Sequence, residues 1–205
     1  MATPAHHHPT PPTASGPPAP AAPAPTAGAG AGAGTAPAAG PGTAPTELNA
    51  GALRQAFGAY PTGVVAMSAL RDGEPVGLAV SSFVSISLDP PMVSISVART
   101  STTWPRLAQA PVLGLSVLSR DQATLCRRLA SRAGDRFDGT AWQATPDGAV
   151  LVHDAALWLT ARVSAVYDGG DHEIVLMRLL TAELFPGVEP LVFHTSQFRE
   201  LTPHG

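Results

Sequence analysis

The residues of this chain whose types and spacing could do chemistry are small and hydroxyl-bearing. The stretch from Pro75 to Ser82 supplies a turn of small residues where backbone can approach a flat ring closely, followed by two hydroxyls, Ser81 and Ser82. Ser101-Thr102-Thr103 precedes Trp104-Pro105, a helix start where free amide donors and hydroxyls converge on an anion such as a phosphate. Arg128 could add a charge-assisted contact there, and Arg99 is a second candidate. Each group also has a purely structural reading. Ser81-Ser82-Phe83 reads as a bulged strand, Ser101 to Thr103 as a helix cap, Gly170-Asp171-His172 as a hairpin turn, and Asp135-Arg136 as a surface ion pair of little worth. Cys126 falls on an apolar stripe and reads as core packing rather than as a reactive thiol. All 12 basic residues are arginine, so chemistry that needs a lysine amine is excluded, whether a Schiff base or a P-loop.

These groups need elements to position them. Ala52, Leu53, Ala56, Phe57 and Tyr60 share one side of a short helix that Pro61 ends. A strand from Gly63 to Leu70, a hairpin turn at Asp72-Gly73 and a long strand from Val76 to Leu88, bent at the serines, follow. Asp89-Pro90-Pro91 breaks pairing, because two prolines remove two amide donors. Then come a strand from Met92 to Ala98, the short helix near Ser101 to Pro105, and a strand from Val112 to Leu118. Ser119-x-x-Gln122 is a capping box, and the helix it opens carries Gln122, Leu125, Cys126 and Leu129 on one stripe. The next strand alternates, with Leu157, Leu159, Ala161, Val163 and Ala165 on one face and Thr160, Arg162 and Ser164 on the other. Gly169-Gly170 turns it into Ile174 to Leu184, apolar on both faces, as expected of a strand covered by helices or a second subunit. The pattern predicts a mainly β fold of about six antiparallel strands with three short helices, forming a small closed or partly open barrel.

Read in order, Gly-Leu-Ala-Val-Ser-Ser-Phe at 77–83, Ser-Leu-Asp-Pro-Pro at 87–91, Ala-Arg-Thr-Ser-Thr-Thr-Trp at 98–104 and Gly-Gly-Asp-His at 169–172 resemble the flavin reductase-like family. The resemblance runs from about Leu53 to Leu201. It implies the FMN-binding split barrel, a six-stranded antiparallel Greek-key-like barrel with short flanking helices. It implies that FMN or FAD is bound by Pro75, Val76, Gly77, Leu78, Ala79, Ser81 and Ser82, by Ser96, Val97 and Ala98, by Thr102 and Thr103, and by Arg128 and Leu129. It places His172 at the nicotinamide side of the flavin as the catalytic position, with Phe193, His194, Thr195 and Ser196 binding NADH or NADPH. Many relatives carry arginine where Thr102 stands, threonine where Ala79 stands, and tyrosine at the His194 position. The implied activity is NAD(P)H-dependent flavin reduction by a homodimer that supplies reduced flavin to a partner monooxygenase. The alternative is a non-catalytic flavin-binding or electron-transfer protein on the same barrel, holding FMN tightly.

Composition bounds what else the chain could be. Residues 1–46 are rich in Ala, Pro and Gly, have no charged side chain before Glu47, and are predicted to be a disordered tail ahead of a single domain at 47–205. The His6-His7-His8 run in it is a weak metal candidate, and Gly28-x-Gly30-x-x-Ala33 matches a relaxed dinucleotide fingerprint only by composition. A domain of this size buries roughly 70% of its unfolded surface and needs no disulfide or structural metal. A lone cysteine excludes an internal disulfide and multi-cysteine metal sites. The net charge of -3 argues against a nucleic-acid partner. No leader or membrane-spanning stretch is legible, so a cytoplasmic location is expected.

Overall fold

The computed structural model describes residues 48–202. The expected tail, with its histidine run and its glycine-spaced motif, lies outside the described residues. Asn49 caps the first helix, α1 (Ala50–Gly58), its side chain accepting from the Ala52 N–H at 2.9 Å.

The described residues form twelve strands, twice the number expected from the pattern. Six of them make the barrel: β2 (Val65–Arg71), β3 (Glu74–Val80), β5 (Pro91–Ala98), β6 (Leu113–Val117), β9 (Leu157–Gly169) and β10 (His172–Leu184). They pair antiparallel in the order β3-β2-β6-β9-β10-β5, and β4 (Val84–Leu88) adds a seventh strand beside β5. The inward residues of these six strands form one cluster, including Met67, Leu78, Ile95, Leu115, Leu159 and Met177, so the sheet curls around one interior. Trp104 and Leu107 of α2 (Trp104–Leu107) close one side of that core. The two ends of the curl, β3 and β5, approach each other without a ladder.

Ser82 bridges that split. Its hydroxyl accepts from the Ser96 N–H and donates to the Ser96 carbonyl, both at 2.9 Å. The strand expected from Val76 to Leu88 is therefore two strands: the chain leaves β3 after Val80, is clasped to β5 at Ser82, and re-pairs as β4 on the far side of β5. Asp72 and Gly73, at φ of 58° and 86°, form the expected hairpin turn between β2 and β3. Asp89-Pro90 forms the turn between β4 and β5.

The capping box holds, with the Ser119 N–H donating to Gln122 Oε1 at 2.9 Å, but it opens a 3₁₀ turn (Arg120–Gln122) before α3 (Ala123–Ala130). Leu125, Cys126 and Leu129 on that helix are buried in a second cluster. The alternation expected along β9 fails at Val163, which is 36% exposed, because a register shift opposite Leu176 and Met177 skips Ser164. The remaining strands were too short for periodicity to reveal. β1 (Thr62–Gly63), β11 (Val192–His194) and β12 (Gln197–Arg199) make a three-stranded sheet, and β7 (Trp142–Ala144) pairs with β8 (Val150–Val152).

Candidate functional site

A cleft of about 410 Å³ opens where the split in the barrel meets α2 and α3. One wall is the end of β3 and its exit, Leu78 to Ser82; the facing wall is Ser96, Val97 and Ala98 of β5. Thr100 to Thr103 form the floor toward α2, Leu129 and Ala130 come from the end of α3, and His172 sits at the rim. A second compartment of about 300 Å³ shares Thr102, Thr103, Arg132 and Arg136 with the first, and is completed by Pro75, Val76, Gly77, Arg106, Gly134, Asp135 and Phe137.

The residues expected to bind a flavin are thus divided. Leu78, Ala79, Ser81, Ser82, Ser96, Val97, Ala98, Thr102, Thr103 and Leu129 line the first compartment together with His172. Pro75, Val76 and Gly77 line the second. Arg128 lines neither; its guanidinium is taken by the Asp138 carbonyl. Arg99 is equally committed, to Asp168 at 3.0 Å, Glu173 at 3.1 Å and the Gly170 carbonyl at 3.0 Å, and so is withdrawn from any phosphate role.

Phe193, His194, Thr195 and Ser196 line neither compartment. Phe193 packs on Phe198, His194 Nε2 lies 3.1 Å from the Ala59 carbonyl, and the Thr195 N–H donates to the Gly58 carbonyl at 2.8 Å. Thr195 and Ser196 turn β11 into β12 with φ of 48° and 60°, a conformation that costs a non-glycine residue about 1–2 kcal/mol.

Two arginines that sequence reasoning passed over carry the positive charge of the cleft. Asp135-Arg136, expected to be a surface ion pair, is not one: Asp135 Oδ1 accepts from the Phe137 N–H at 2.9 Å, and Arg136 turns inward. Its Nη1 donates to Thr103 Oγ1 at 2.6 Å and to the Gly77 carbonyl at 2.8 Å. Gly77 is what lets this loop dock, because a Cβ there would stand 2.8 Å from Phe137 Cζ and 3.1 Å from the Met67 carbonyl. Arg132 lines both compartments and, among the described residues, makes no salt bridge. The helix that Thr103 precedes is only four residues long, so these guanidiniums and the threonine hydroxyls dominate over any helix dipole.

His172 is held by its surroundings. The two-residue turn Gly170-Asp171 ends β9 and starts β10, with Gly170 at φ 78°. Asp171 Oδ1 accepts from His172 Nδ1 at 2.7 Å, which leaves Nε2 as the free ring nitrogen. That hydrogen bond, and then the charge of His172, holds the Asp171 carboxyl below its usual range. The hairpin is gripped from below by Arg99, and Glu173 in turn accepts from Trp104 Nε1 at 2.8 Å. The Gly170 N–H, and then Arg99, hold Asp168 below its usual range too. Burial raises the Cys126 thiol above its ordinary value, against a smaller lowering by Arg127, which suits a packing role.

Chemically, the first compartment offers two facing walls for a flat ring, hydroxyls and guanidiniums for a phosphate where it meets the second compartment, and the His172 imidazole in its lining. Comparison with known families matches residues 57–202 to the flavin reductase like domain. The reductase subunit HsaB of a flavin-dependent monooxygenase from Rhodococcus jostii is 30% identical over 74% of this chain and 77% of that protein. The FMN reductase (NADH) SmoA of Agrobacterium fabrum is 35% identical over 73% of this chain and 85% of its own length. Among solved structures, the NADH:FAD oxidoreductase SgcE6 of Streptomyces globisporus, in complex with NAD and FAD fragments, superposes with a TM-score of 0.70 at 36% identity, covering 74% of this chain and 92% of that one.

Proposed function

The chain belongs to the flavin reductase-like domain family, and from that premise we propose that its cleft seats a flavin ring between the ends of β3 and β5 while a nicotinamide approaches past His172. The protein is an NAD(P)H-dependent flavin reductase on the FMN-binding split barrel, and it supplies reduced flavin to a monooxygenase. The observation that carries the site assignment is that Ser82, Thr103 and His172, far apart in sequence, line one cleft.

The residues present suit a flavin. Ala79, Val97 and Ala98 give a wall low enough for a ring to lie against, and Thr102, Thr103, Arg132 and Arg136 gather where the first phosphate would end. Bound there, the flavin ring supplies the acceptor for the nicotinamide's hydride. No protein acid or base is needed for that transfer, so this chain's residues act by positioning. Arg136, held to Thr103, would neutralise the phosphate there. Ser82 does not spare its hydroxyl for ligand; it keeps the two walls in register by holding Ser96. Asp171 holds the His172 ring through Nδ1, leaving Nε2 as the ring nitrogen that would meet the nicotinamide.

We further propose a homodimer. No residue of α1 is buried, and Phe57 and Tyr60 are 70% and 75% exposed. Val84, Ile86 and Leu88 of β4, together with Val166, Tyr167 and Ile174 around the β9–β10 hairpin, are exposed apolar side chains as well. A second copy is the occupant that suits so much apolar surface on strands bordering the cleft. The Phe193 to Ser196 stretch, absent from the cleft lining, serves nicotinamide only if binding or dimerisation brings it there. No helix of the described residues is long and apolar enough to cross a membrane, and a cytoplasmic location, where thiols such as Cys126 stay reduced, completes the reading.

Steady-state oxidation of NADH and NADPH with riboflavin, FMN and FAD in turn tests this function. NADH consumption that depends on added free flavin is expected. No flavin-stimulated consumption, or a preparation that purifies yellow and ignores added flavin, contradicts it.

A further inference from the structure

Relatives named for FMN and for FAD lie at nearly the same identity, 35% and 36%, so likeness does not choose between the two flavins. The second compartment does. We infer that it holds the distal phosphate and adenosine of a dinucleotide flavin, so that this protein takes FAD in preference to FMN; the inference rests on the cleft being the flavin site.

A mononucleotide would end at the junction, where Thr102, Thr103, Arg132 and Arg136 line both compartments. Those four residues are enough for one phosphate. Beyond them the annex continues for about 300 Å³, and there it adds Arg106. Among the described residues, neither Arg106 nor Arg132 makes a side-chain hydrogen bond or salt bridge. The one carboxylate in the annex, Asp135, has Oδ1 occupied by the Phe137 N–H. Three guanidiniums against one carboxylate leave an excess of positive charge, which a second phosphate would balance. Val76 and Phe137 are buried beneath the annex, which therefore presents mainly polar groups, suited to the distal phosphate and the ribose of the dinucleotide.

A nicotinamide dinucleotide carries the same ADP group. The flavin is the favoured source because the annex is continuous with the phosphate end of the cleft, whereas His172, where the nicotinamide enters, lines only the first compartment.

Dissociation constants of riboflavin, FMN and FAD, measured by flavin fluorescence without nicotinamide, test the inference on the full chain. FAD is expected to bind about tenfold more tightly than FMN, an advantage that shrinks with added salt. Arg106→Glu, an exposed substitution, should remove that advantage and leave the FMN constant within about twofold, while Arg106→Lys keeps most of it. Equal affinity for FMN and FAD in the wild type, or an Arg106→Glu protein that loses both together, overturns the inference. A rise in KM for NADH with FMN as acceptor, and no change in the FAD constant, assigns the annex to the nicotinamide and overturns it as well. Failure of all three flavins to bind overturns the flavin-site reading and this inference with it.

Discussion

Arg136 is the residue on which the site's electrostatics turn, because among the described residues it is the only guanidinium of the cleft held by two hydrogen bonds, to Thr103 on the floor and to Gly77 in the second compartment. Arg136→Ala should weaken flavin binding at least about tenfold by fluorescence titration, and Arg136→Lys should restore it only in part, since an ammonium cannot serve the two acceptors and a phosphate with the same planar fork. Thr102→Glu should also weaken it, by setting a carboxylate against the phosphate. His172→Ala should raise KM for NADH more than KM for flavin; equal effects would remove its assigned role. The carboxylates around that histidine set a pH dependence of known sign. Asp168 and Asp171 are both held below the free value of 3.8, so what they lend to the hairpin is complete above that value and lost as pH falls through their lowered folded values. At this scale the convergence of the hydroxyls, small residues and His172 on one cleft was legible because their order along the chain is distinctive. Arg136 was not. Its importance comes from a loop that docks on Gly77, a close approach that no local pattern announces.

The elements that hold these residues depend on a few close backbone contacts. Ser82 substitutes for a missing ladder between β3 and β5, and Ser82→Ala leaves two backbone groups of Ser96 without their partner. We expect a loss of about 1–2 kcal/mol in chemical denaturation, with weaker flavin binding as the cleft walls separate. Gly114 on β6 lies so close to β8 that a Cβ would meet the Val150 backbone, 2.7 Å from its carbonyl carbon. Gly114→Ala should therefore cost about 3 kcal/mol or more, seen as a lowered Tm without any change at the cleft. Strands of seven or more residues, the β2–β3 turn and the capping box were readable from periodicity and turn chemistry. The two- and three-residue strands were not, since they have no period, and the split of Val76 to Leu88 was hidden because the Ser82 clasp is a long-range contact.

For the whole molecule, a small antiparallel barrel with short helices followed from alternating strands and one amphipathic helix, whereas the strand order and the second core had no signal in the pattern. What the pattern marked as a covered strand, Ile174 to Leu184, is left partly uncovered in the single chain, with Ile174, Leu180 and Leu184 exposed. The proposed dimer would account for that surface, and sedimentation equilibrium should then return twice the 20.9 kDa chain mass. Tyr167→Asp, placed on the exposed hairpin, should shift the protein toward monomer; an unshifted dimer would move the interface elsewhere. The central claim concerns chemistry at the cleft, and the most direct measurement is an anaerobic titration of the purified protein with oxidised flavin followed by NADH. The account predicts reversible flavin binding, bleaching of the flavin's visible absorption on adding NADH, and reduced flavin recovered free of protein after filtration. Flavin that binds but stays oxidised, or that is reduced and never released, would contradict it.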